Sequence, residues 1–154
     1  MNKWKLLFII PITYIICTIV VNVIGVNREL IIPVKAASSK NWDLKSYWYY
    51  PWGVSGIHKG IDIFAPQRTP ILSPVNGFIT SSGYSNNGGN YVNIISADFR
   101  LYYFAHLNTS GISQFRFVKK GQQIGAVGNS GNAVSKPYHL HFSVFSFIPI
   151  LLIR

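Results

Sequence analysis

Acidic side chains are scarce in this chain of 154 residues: Glu29, Asp43, Asp62 and Asp98 stand against 14 lysines and arginines, a net charge of +10. Such an excess suits polyanionic partners, whether nucleic acid, anionic lipid or an acidic cell-wall polymer. Cysteine is nearly absent. Cys17 alone excludes an intramolecular disulfide and a Cys-rich zinc site, so any metal must be held by histidine and carboxylate. Charged residues make up only 12% of the chain and apolar ones 49%, a balance unlike that of disorder. There is no HExxH helix, which excludes a thermolysin-like arrangement, and no repeat of fixed period or low-complexity tract. The length allows one ordinary domain with a short appendage.

What is present begins with an apolar run. Lys3 and Lys5 precede Leu6 to Val26, which carries no charge and as a helix would be about 31 Å long, enough to cross a hydrocarbon core. The run exceeds the apolar region of about 7 to 15 residues usual in a cleaved signal. A retained transmembrane anchor at 1–26 is therefore expected, followed by a linker at 27–40 and a folded domain at 41–154. Val34-Lys35-Ala36 offers the alternative of cleavage after Ala36. Either way the remainder is exported. Lys3 and Lys5 favour an N-inside orientation, which Arg28 and Lys35 oppose. Cys17 reads as a lipid-facing or packing side chain, because Ile15-Ile16 lacks the small residue that precedes a lipoprotein cysteine. After Ala36 the chain carries ten basic and three acidic residues.

Beyond residue 40 no apolar period of 3.6 is sustained. Short β-rich runs appear instead at Ile61–Phe64, Pro70–Ser73, Phe78–Thr80, Tyr91–Ile95, Leu101–Ala105, Gln123–Val127 and Leu140–Phe147, separated by Asn/Gly turns such as 86–90 and 128–132. This pattern predicts a mainly β fold, a compact antiparallel sandwich or open barrel.

All four histidines fall in that region. In a strand His139 and His141 point to one face, about 6.6 Å apart at Cα, whereas a helix would splay them; one imidazole can bind a metal while the other faces water beside it. His58 and Asp62 are four apart. A straight strand would hold them about 13 Å from each other, so the chain must bend for both to reach one ion, and Gly60 permits a bend. Asp62 lies between isoleucines, and a partly buried carboxylate demands a counter-ion or metal. His106 ends the aromatic strand Tyr103-Phe104-Ala105. Together the patterns point to zinc.

In order, HKGID, YFAHL, VKKGQQIGAVGNSGNA and HLHF resemble the lysostaphin/LytM-type zinc metalloendopeptidases that cut peptidoglycan cross-links, over about His58 to Val144. The resemblance implies a small antiparallel β-sheet groove, with His58, Asp62 and His141 as ligands of one Zn2+ that keeps an open position. It implies that His106 and His139 flank the catalytic water and the scissile carbonyl, one of them protonating the leaving amine. It also implies a peptidoglycan peptide as substrate. With the apolar run as anchor, the expected location is single-pass in the bacterial inner (cytoplasmic) membrane, the domain facing periplasm or wall, or else a secreted form after cleavage near Ala36. Ser143 stands where many relatives carry Glu, and the chain stops at Arg154 after the apolar Phe147–Ile153, a natural end, a truncation or a buried last strand. The cluster Tyr47–Trp52 would line the groove or pack at its rim. Two rival readings are a non-catalytic wall-binding or hydrolase-activating protein on the same fold, and a basic nucleic-acid-binding β-domain. The chain keeps all five key positions, which opposes the first. Export and the absence of an RNA-binding aromatic motif oppose the second, so no nucleic-acid partner is expected.

Overall fold

A computed structural model describes residues 11–16, 29–52, 56–109 and 112–146. Eight strands follow one another: β1 (Ile61–Phe64), β2 (Pro70–Leu72), β3 (Gly77–Ser85), β4 (Gly89–Ser96), β5 (Arg100–Leu107), β6 (Arg116–Val118), β7 (Gln123–Ala126) and β8 (His139–Ser146). Six form an antiparallel sheet in the order β1-β8-β5-β4-β3-β6, and β2 pairs with β7 in a second, two-stranded sheet. The expected β architecture is therefore observed.

The period-2 alternation of each strand sorts its side chains. Ile63, Ile79, Ile94, Phe104 and Leu140 are at most 1% exposed and form one core with Ile71 and Ile124 of the small sheet. Phe104, wholly buried, is central to it. Phe104→Ala should cost about 3 to 5 kcal/mol of stability, to be read as a lowered denaturant midpoint with an unchanged slope.

Part of the stretch expected as linker belongs to this unit. Val34 is 1% exposed and bridges Ile71. The Leu72 amide donates to the Pro33 carbonyl at 2.7 Å, and the Lys35 amide to that of Pro70 at 3.0 Å. An edge strand such as β2 has unpaired backbone groups, and a short apolar segment satisfies them. Of the apolar run Leu6–Val26, only 11–16 are described, and they are helical. No helix among the described residues is long and apolar enough to cross a membrane, so the fold lends the expected transmembrane helix no support; the rest of the run, with Cys17, lies outside the described residues. So do Phe147–Ile153.

Candidate metal centre

β1 and β8 are antiparallel neighbours with Asp62 opposite His141 and Phe64 opposite His139. Because alternate residues share a face, Asp62, His139 and His141 stand together on one side while Ile63, Leu140 and Phe142 enter the core. The strand placement of His139 and His141 is as expected. His58 lies just before β1, and the chain does bend at Gly60. The reason for glycine is different from the one expected. Gly60 is not in the left-handed region; a Cβ there would lie 2.4 Å from Ser143 Oγ and 2.6 Å from the Phe142 carbonyl. Gly60→Ala should push β8 away, costing about 1 to 3 kcal/mol and weakening zinc binding about 10- to 100-fold, measurable by denaturation and by chelator competition.

His106 reaches the same space by another device. Strict alternation along β5 would put it with Tyr102 and Phe104 in the core. Its register against β4 slips between Asn90/Val92, and His106 has φ 62°. This bulge turns the ring out into the cleft and sends Leu107, 0% exposed, into the core. The ring centroids of His106 and His139 are 5.0 Å apart, and those of His106 and His141 6.0 Å.

Each histidine is oriented by a partner behind it. Nδ1–H of His58 donates to the Ser46 carbonyl at 2.8 Å, that of His106 to the Ser130 carbonyl at 2.9 Å, and that of His139 to the Pro137 carbonyl at 2.7 Å. His141 is held the other way round. The Ser143 hydroxyl donates to the Lys59 carbonyl at 2.6 Å, so it accepts from Nε2–H of His141 at 3.0 Å. In the neutral rings the remaining nitrogens are bare. His58 Nε2 and His141 Nδ1 then face each other at 3.0 Å, and Asp62 Oδ1 is 3.1 Å from the first and 2.9 Å from the second.

Three acceptors with no proton among them repel one another unless a cation stands between them. His58, Asp62 and His141 form a group whose ligand atoms all lie within 4.8 Å of one another, the only such group among the described residues. Two imidazoles and a carboxylate, each held from behind, are the donor chemistry that zinc takes. Burial opposes ionisation of Asp62, yet the imidazoles of His141, His139 and His58 around it outweigh burial and hold the carboxyl below its usual range. His106 is neutral at neutral pH: burial pushes its pKa down to about 4, against the pull of the Ser130 carbonyl.

The five residues line an open cleft of about 410 Å³, within the range of sites that take small ligands. Trp52 stacks on His58 with centroids 4.3 Å apart, and Lys136 Nζ lies 5.8 Å from the Trp52 ring. Tyr47, Trp48, Tyr49 and Tyr50 are exposed. The cluster Tyr47–Trp52 thus supplies two wall residues, Pro51 and Trp52, and its exposed members do not pack into the core. Asn87 and Gly88 border the cleft, so the Asn/Gly loop is more than a hairpin turn. It is locked to the Gly-rich segment 128–132. A Cβ on Gly131, at φ +70°, would lie 2.2 Å from the Gly89 amide nitrogen, while Ser130 Oγ accepts from the Asn90 amide at 2.9 Å. Tyr103 also lines the cleft; burial, then Tyr91, raises its phenol, which keeps it a donor.

A β-sheet groove with a His/Asp/His metal set and two further inward imidazoles defines a metallopeptidase-like domain. The chain belongs to peptidase family M23, whose model matches residues 56–147, and to its lysostaphin/LytM type. It is 37% identical over 103 residues to lysostaphin of Staphylococcus staphylolyticus, covering 64% of this chain and 21% of that protein. It is 33% identical over 87 residues to the peptidoglycan DD-endopeptidase ShyC of Vibrio cholerae, covering 56% of this chain and 20% of the relative. The catalytic domain of lysostaphin from Staphylococcus simulans superposes with a TM-score of 0.59 at 34% identity, over 67% of this chain and 80% of that one. This chain spans about a fifth of the length of those two curated relatives.

Proposed function

We propose that this protein is a zinc-dependent endopeptidase that hydrolyses amide bonds in the cross-linking peptides of peptidoglycan, remodelling the cell wall. The observation that carries the reading is the convergence of three ligand atoms within 4.8 Å of one another, with two more imidazoles aimed at the same space. His58, Asp62 and His141 would hold one zinc, which supplies Lewis acidity towards a carbonyl and a lowered pKa for water. His106 and His139 are then the proton-handling pair: each offers a bare Nε2 that accepts a proton from water and returns it to the leaving amine. Neutral Tyr103 donates from the cleft wall. Lys59 and Lys136 are the cationic residues that line the cleft, and they suit a peptide that bears carboxylates. Retention of all five site residues favours catalysis over a purely wall-binding or activating role.

We further propose that the domain lies outside the cytoplasm, at the bacterial inner membrane, with the run Leu6–Val26 as its anchor. One structural observation supports retention over cleavage. A cut after Ala36 would remove Val34 from the core and with it the hydrogen bonds of Pro33 and Lys35 to β2. A membrane-associated product of full-chain mass, resistant to carbonate, is expected; a soluble form beginning near Ala37 would overturn it.

The activity is tested by incubating the purified full chain with peptidoglycan, with and without a chelator, and weighing the released fragments. Fragments cut within the cross-links, lost on chelation and restored by zinc, are expected. Unchanged peptidoglycan with the zinc-loaded protein would overturn the reading.

A further inference from the structure

The sheet edge farthest from the metal centre carries an unusual surface. β6 is a three-residue edge strand; Phe117 on it is 80% exposed, and Phe115 just before it is 69% exposed. Edge strands are normally blunted by charge and brevity, and large exposed aromatics defeat that purpose. Phe117 stands opposite Phe78 and meets it edge to face with centroids 5.0 Å apart. Phe115 has φ 60°, a left-handed conformation that a bulky residue adopts only under strain. No packing in the core accounts for it, since its ring points to solvent. Arg116, Lys119 and Lys120, on and just after the same strand, are exposed, and no acidic side chain lies between residues 99 and 154.

Lys120 ties this edge to the start of the domain. Its Nζ donates to the Glu29 carbonyl at 2.5 Å, and Glu29 follows the last residue of the apolar run, Val26, by only three positions. Glu29, where the described domain begins, is thus held beside this edge.

We propose that the β6 edge, with Phe115 and Phe117 inserted among the headgroups and Arg116, Lys119 and Lys120 on the phosphates, docks the domain on an anionic bilayer. Aromatic rings flanked by cations are the composition that partitions into an anionic interface. The occupant is the membrane rather than a protein because the cations need anions and Glu29, three positions after the apolar run in sequence, is held at this edge. The metal centre lies four strands away, about 19 Å at the usual strand spacing. Sheet twist over those four strands turns the two surfaces by about 80 to 100°, so docking leaves the cleft open. The inference rests on the anchor reading for its geometry and is independent of the peptidase reading.

The test uses the full chain with Cys17→Ser, carrying a nitroxide at Phe117→Cys or at Val134→Cys, a position 70% exposed near the cleft. Each is reconstituted in phosphatidylcholine vesicles with or without phosphatidylglycerol. With phosphatidylglycerol, the probe at 117 should become inaccessible to an aqueous nickel chelate and accessible to oxygen, while the probe at 134 stays aqueous. Replacing Arg116, Lys119 and Lys120 with Gln should return 117 to water, since each cation contributes about fivefold to partitioning, on the order of 100-fold for three. A probe at 117 as aqueous as that at 134 would overturn the proposal. Protection in detergent alone, with dipolar broadening, would overturn it in favour of a second copy of the chain. Carbonate extraction reads the anchor separately: an extractable chain with 117 still protected in anionic vesicles would sink the anchor and keep the docking face.

Discussion

His141→Ala should empty the metal centre and abolish peptidoglycan hydrolysis together, and so should His58→Ala and Asp62→Ala. The three ligand atoms are mutually within 4.8 Å, so removing any one leaves two donors and an unfilled side of the ion, and affinity then falls with the site. The comparison that makes the prediction specific is Ser143→Ala. That variant removes only the hydroxyl that accepts from His141 Nε2 at 3.0 Å. Loss of such a supporting contact costs about 10- to 100-fold in affinity or activity, so Ser143→Ala should still bind zinc at excess metal. Elemental analysis after dialysis, with activity titrated against added zinc, separates the two classes. Zinc retained at full stoichiometry by His141→Ala would remove that residue from the ligand set.

His106→Ala and His139→Ala should behave in the opposite way, keeping zinc while losing about 10²- to 10⁴-fold in hydrolysis, the usual contribution of a positioned acid or base. Geometry gives the reason for the division. His139 Nε2 stands 4.0 Å from Asp62 Oδ1, whereas His141 Nδ1 stands 2.9 Å from the same atom. His106 lies outside the ligand group, its ring centroid 6.0 Å from that of His141. Loss of zinc from His139→Ala, with zinc kept by His141→Ala, would reverse the assignment. Single-turnover rates on a purified muropeptide, alongside metal content, decide it.

The strands that bury apolar side chains were legible in the sequence because alternation and β-branched residues mark them. β6 was not, since Arg116-Phe117-Val118 is short and its aromatic faces water. β3 and β4 extend further than their apolar cores indicate, as Ser81 and Ser82 of β3 and Asn90 and Ser96 of β4 pair along the ladder without an apolar signal. The order β1-β8-β5 follows from long-range pairing that no local pattern encodes. The site shows the same division. Histidines and a lone carboxylate announce themselves by type and spacing, and all five residues singled out do converge. The carbonyls of Ser46, Ser130 and Pro137 that orient three of the rings carry no sequence signature, because every residue has one. Val34, counted with the linker, proved to be core. The bulge that turns His106 outward depends on its pairing with β4, and so becomes visible only once the sheet is formed.

The pairing of β1 has a consequence for the order of events during synthesis. Asp62 sits on an edge strand whose only partner in the six-stranded sheet is β8, and its counterpart His141 is made 79 residues later. No shorter nascent fragment brings these two ligands together, and contacts so distant along the chain form late. Metal capture at this set would therefore follow synthesis of β8, and the ion would be drawn from whichever compartment β8 enters. A protein threaded unfolded through a membrane would be loaded on the far side, and its zinc content would report the metal supply there rather than at the ribosome.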